Sequence, residues 1–198
     1  MKNKNQTLKL VMVAMLLGLT IVLQAISITN PITATPLAMS FIPIAVGAIL
    51  YGPKCGTFLG FLWSVFILVS GQASFYMGMN VVGTLITVIV KGTLAGYLSG
   101  VLYLLLKKKN NTVAMIVAAL ACPIINSLIY RIGIVTFFHD YFLGNVDKSG
   151  KSPISYFIGW FLAGSFLIEV GISTVLSPVV VRICNIGRKM LNLEEGHE

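Results

Sequence analysis

Charge is what this chain is shortest of. Asp, Glu, Lys and Arg make up 10% of its 198 residues, where a water-soluble domain carries roughly 25%. With 57% hydrophobic residues and a mean hydropathy of +0.91, the composition excludes a soluble globular protein and points to one integral membrane domain. Acidic residues are the scarcer sign, 6 against 14 basic ones, for a net charge of +8. The basic residues are scattered between apolar runs and form no single patch, which argues against nucleic acid as a partner. Cysteine is scarce too. Cys55, Cys122 and Cys184 show neither CxxC nor metal-ligand spacing, so no disulfide framework and no metal site is expected, and they read as small apolar packing residues.

Catalytic signatures are missing as well. The sequence holds no GxxxxGK[ST], so no nucleotide is hydrolysed through a P-loop in this chain, and it holds neither HExxH nor GxSxG. Of the two histidines, His139 lies at the end of an apolar run and His197 in the tail. An enzyme is therefore not expected, and no cofactor is expected in this chain. No internal repeat is visible either, whereas self-sufficient secondary carriers commonly contain two related halves. A stand-alone carrier is the weaker reading for that reason.

What is present is a series of apolar runs of membrane-spanning length. Six transmembrane helices are expected, over 7–26, 41–52, 54–70, 80–106, 113–138 and 154–182, in an all-α, single-domain membrane protein. Gly52-Pro53 breaks the second run from the third. The uncharged stretches 27–40 and 71–79 read as loops on the outer surface, and 139–153 as the longest polar loop. Lys2, Lys4, Lys9, Lys54, the run Lys107 to Lys109, Arg182, Arg188 and Lys189 fall on one side, and only Lys148 and Lys151 on the other. By the positive-inside rule both termini are cytoplasmic, which requires an even number of spans. The basic start and first apolar run also resemble a secretory signal. Removing that run would leave five spans and break the parity, so it is expected to be retained.

The interior of these spans is not wholly apolar. At about 100° per residue, Asn80, Thr84, Thr87 and Lys91 fall within about a 60° arc of one helix face. Gly92, Gly96 and Gly100 follow at every fourth position, and Gly56 and Gly60, or Ala14 and Gly18, repeat the small-xxx-small spacing that lets helices approach closely in lipid. Three ionisable residues lie within spans: Lys91, Arg131 and Glu169. Each costs on the order of 3 kcal/mol at the bilayer centre, so they are expected to face an interior cavity. Two readings stay open for Lys91 and Glu169, an ion pair holding two helices together or direct contact with a ligand. If Lys91 and Glu169 pair, no acidic partner is expected for Arg131, and its guanidinium is the expected anchor for a carboxylate. Asn126, Tyr130, Trp63 and Trp160 would complete a pocket that opens outward under the two uncharged loops. Asn80, Thr84, Lys91, Asn126, Tyr130, Arg131, Trp160 and Glu169 are thus the candidate substrate-binding residues.

Three segments carry a resemblance: FIPIAVGAILYGPKCGTFLGF from Phe41, NVVGTLITVIVKGTLAGYLSGVLY from Asn80 and ACPIINSLIY from Ala121. With them the chain resembles the substrate-binding (S) components of energy-coupling factor (ECF) vitamin transporters. The resemblance implies a six-helix S-component bundle, multi-pass in the bacterial cell membrane, that captures a vitamin outside. It implies as partners a transmembrane coupling protein and ATPase subunits, which use ATP to deliver the vitamin inward. An AxxxA-type face on the first helix would dock onto the coupling protein, here Ala14 and Gly18, with glycine in place of the second alanine. The segment NVVGTLITVIVKGTLAG is most similar to members assigned to pantothenate. Pyridoxine, a thiamine precursor, riboflavin and folate are the alternatives.

The charge distribution makes a topological prediction. Single cysteines placed in the turn at Lys107 to Lys109 are expected to be protected from impermeant reagents in intact cells, and those between Asp147 and Lys151 to be labelled. Labelling the other way round would invert the assigned orientation.

Overall fold

The computed structural model describes residues 2–28, 38–163 and 165–195, and among them every regular element is helical. In order these are α1 (Lys2–Ile28), a 3₁₀ turn (Ala38–Ser40), α2 (Phe41–Tyr51), α3 (Pro53–Val69), α4 (Ser74–Met77), α5 (Val81–Leu106), α6 (Asn111–Phe137), α7 (His139–Ser149), α8 (Pro153–Ala163) and α9 (Ser165–Glu195). Four stretches among the described residues are long and apolar enough to cross a membrane, Gln6–Ser27, Val81–Leu106, Asn111–Phe137 and Glu169–Gly187. The second and third expected spans are shorter apolar helices, α2 and α3. Gly52 separates them at φ 90°, a conformation that glycine tolerates, and Pro53 then begins α3 at a position where its missing N–H costs nothing.

Two expected loops contain helices. Residues 71–79 include the short α4, and 139–153 include α7. In α7 the pair Phe142 and Val146, one turn apart, is buried, while Asp140, Asp147 and Lys148 remain exposed. That spacing is amphipathic, and Asp140 in the first turn and Lys148 in the last complement the helix dipole. The polar composition alone had suggested a loop. Gly150, at φ 63°, ends α7 in the left-handed conformation. The expected sixth span corresponds to α8 and α9. Of the expected outer loop at 27–40, residues 29–37 lie outside the described residues.

Packing follows from residue size. α2 is apolar all round and is buried on nearly every side, with Ile44, Ala45, Val46 and Ala48 at its centre. α5 lies between α3 and α6. Along the α3–α5 seam, Gly56 meets the backbone of Gly96, and Gly60 meets that of Gly92, so closely that a Cβ on any of the four would strike backbone or a neighbouring side chain. Without a hydrophobic drive between helices in lipid, such backbone contact provides dispersion and holds the pair in register. On the other side of α5, Gly83 packs against Phe137 and Gly133 against Thr87, and the Ser99 hydroxyl donates to the Ala118 carbonyl at 2.7 Å. All three cysteines are buried.

The seam predicts a sharp contrast between glycines. Gly60→Ala or Gly96→Ala is expected to destabilise the protein in detergent by about 1–3 kcal/mol, the usual cost of overpacking. Gly171→Ala in α9, where an added Cβ meets nothing within 4 Å, should be neutral or mildly stabilising. Thermal unfolding of the three variants checks this, and equal effects at all three positions would refute the seam.

Candidate ligand-binding site

The polar stripe on α5 begins with a structural residue. The Asn80 side-chain oxygen accepts from the Gly83 N–H at 2.9 Å, capping the helix, and its amide nitrogen donates to the Phe137 carbonyl at 3.3 Å. One turn on, Thr84 is buried and donates to the Asn80 carbonyl at 2.8 Å. Thr84, Thr87 and Lys91 then line a cavity of about 220 Å³. Opposite them α6 presents Asn126, Ser127, Tyr130 and Arg131, whose spacing puts them on one helix face. Glu169 enters from α9, and Trp63 and Ile67 from α3.

The ionisable groups are held differently. The Lys91 ammonium lies 5.5 Å from the centroid of the Trp63 ring and 5.0 Å from that of Tyr130, a distance at which each ring attracts a cation. Glu169 accepts a 2.6 Å hydrogen bond from the Ser127 hydroxyl, and Arg131 Nη1 donates to the Ser127 carbonyl at 3.1 Å. Both Lys91 and Arg131 lie within electrostatic reach of Glu169. A direct Lys91–Glu169 ion pair is not among the contacts of the ammonium.

A second polar group closes one end of the cavity. Gln24 of α1 is buried, and its side-chain oxygen accepts from Ser40 Oγ at 2.7 Å and from Trp63 Nε1 at 3.0 Å. Its nitrogen donates to the Gln72 side-chain oxygen at 2.8 Å, and the Gln72 nitrogen donates to Ser70 Oγ at 2.8 Å. One amide thus ties α1 to the start of α2, to α3 and to the turn that follows it. Nearby, Tyr130 Oη donates to Tyr76 Oη at 2.7 Å, and the Tyr76 ring meets Phe75, Phe138 and Tyr141 edge to face. Burial raises the Tyr76 phenol above its ordinary value, against the lowering effect of the Tyr130 hydrogen bond, so it remains a neutral hydroxyl.

Of the candidate residues, Thr84, Lys91, Asn126, Tyr130, Arg131 and Glu169 are brought together around one cavity, with Trp63 beside them. Asn80 caps α5 and does not line it. The Trp160 side chain lies outside the described residues. Ala14 and Gly18 are exposed on α1, with nothing within 4 Å of a Cβ placed at Gly18. Gln24, Ser40, Gln72, Tyr76 and Ser127 were missed. For Gln24 one signal existed, an amide isolated in an apolar span, which is costly unless hydrogen-bonded.

Comparison with known proteins adds one match: a family model described as "ECF transporter, substrate-specific component" covers residues 8–181. No curated protein and no solved structure gives a significant match.

The Gln24 network makes its own prediction. Gln24→Leu leaves the Trp63 N–H, the Ser40 hydroxyl and the Gln72 amide oxygen without this partner, and each buried orphan costs about 1–3 kcal/mol. A lower unfolding temperature with altered Trp63 fluorescence is expected. A variant as stable as wild type would show that these groups find other partners.

Proposed function

The chain belongs to the ECF transporter substrate-specific component family, and from that premise we propose that it captures pantothenate outside the cell and passes it inward with its coupling and ATPase partners. Family membership makes it a membrane-embedded, substrate-specific transport subunit and not an enzyme. In our reading α2 and α3 join the four longer stretches as the remaining spans, both termini are cytoplasmic, and the membrane is the bacterial plasma membrane. The face of α1 bearing Ala14 and Gly18, exposed in the isolated chain, suits docking onto the coupling protein. ATP is used by the partner subunits alone.

The observation that carries the choice of vitamin is the charge around the cavity. Lys91 and Arg131 line it against a single carboxylate, Glu169. That is an excess of one positive charge when all three are ionised, and a carboxylate-bearing ligand offsets it in surroundings that screen charge poorly. Pantothenate also has an amide and two hydroxyls for Asn126 and the threonines, and a gem-dimethyl group for an apolar wall that includes Ile67, Val88 and Ile134.

Calorimetric titration of the wild-type chain with pantothenate and with its uncharged alcohol tests this. Pantothenate is expected to bind more tightly by roughly 2–5 kcal/mol, the range for removing one partner of a charge pair out of water. Equal affinities, or tighter binding of pyridoxine, would overturn the anionic reading.

A further inference from the structure

We infer that Lys91, and not Arg131, holds the ligand's carboxylate, while Asn126 and Thr87 read a hydroxyl or amide donor on the same ligand. The inference rests on reading the cavity as the substrate site. An ammonium has three donors, and the aromatic rings beside Lys91 satisfy its charge without accepting ordinary hydrogen bonds from it. Among the described residues no hydrogen bond reaches this ammonium and no carboxylate lies within ion-pair distance, so its donors are available on the cavity side. Its position is fixed at one remove. Trp63 is held by Gln24, and Tyr130 is held by Tyr76. An ammonium placed by two pinned rings is preorganised for an anion.

Arg131 is engaged differently. Its Nη1 donates to the Ser127 carbonyl, and the Ser127 hydroxyl donates to Glu169. The three residues form a continuous framework between α6 and α9, which makes Arg131 a positioning residue for that wall. Two other polar atoms await a partner. Asn126 Oδ1 and Thr87 Oγ1 are buried and have no hydrogen-bond partner among the described residues, although both residues line the cavity. Thr87 precedes Lys91 by one helical turn, so its hydroxyl and the ammonium share a face. An acceptor left alone in such a place favours a ligand that donates to it. The ligand class is therefore a small carboxylate that also carries an O–H or N–H donor.

The test is titration of the full chain in detergent with pantothenate, pantothenol, folate, pyridoxine, riboflavin and thiamine. Lys91→Met should weaken pantothenate binding about 100-fold and pantothenol binding far less, and the retained pantothenol binding also shows that the variant folds. Lys91→Gln, neutral and similar in length, carries the same comparison if the methionine variant does not fold. Thr87→Val should weaken acid and alcohol alike by about tenfold without lowering the unfolding temperature, a pattern that a purely structural hydroxyl would not give. Unchanged pantothenate affinity in both Lys91 variants overturns the anchor and leaves the pantothenate reading in place. Lys91-dependent binding of folate in place of pantothenate would do the reverse. A wild type that binds only uncharged or cationic members of the panel, or none, overturns both.

Discussion

Everything around the cavity depends on two helices touching backbone to backbone. Gly56 and Gly60 of α3 lie against Gly96 and Gly92 of α5 with no side chain between them. Gly92 directly follows Lys91, and Trp63 lies three residues beyond Gly60, so the contact that joins the helices also sets a ring beside the ammonium. Larger residues at the seam would push the helices apart and carry the ring away from the charge. The attraction between a cation and a ring falls off over a few ångströms, so the seam regulates the electrostatics of the site by distance.

Burying ionisable groups in a membrane protein usually calls for opposite charges in contact. Here the neighbours differ from group to group. Glu169 takes a hydroxyl, Arg131 a backbone carbonyl, and Lys91 two aromatic faces. Glu169 lies near enough to influence Lys91, but the ammonium is not consumed by a salt bridge. A ligand then competes with weak partners instead of a carboxylate already in place.

The sequence made the membrane character, the 3.6-residue polar stripe on α5 and the charged interior legible, because each is a local pattern or a composition. Thr84, Lys91, Asn126, Tyr130, Arg131 and Glu169 were recognisable as polar groups in apolar surroundings, and the fold brings them to one cavity. Asn80 belonged to the same stripe, but the need to cap α5 engages its side chain with backbone instead. Gln24 was visible only as an isolated amide, and its role was not, because that role exists only through Ser40, Trp63 and Gln72, which come from three separate segments. α7 was hidden by its charges, since two buried apolar residues one turn apart are too few to stand out beside Asp140, Asp147 and Lys148.

The glycine seam also constrains how the site can change. A wall built on backbone contact has no side chains to trim and no slack to take up, so Trp63 and Lys91 form a fixed jaw. Residues on α6, α9 and the α3–α5 connection, such as Asn126, Glu169 and Tyr76, form the adjustable one. Retuning this protein toward a bulkier molecule would succeed by carving the adjustable jaw, and libraries that randomise the four seam glycines behind the fixed one would return mostly unfolded chains.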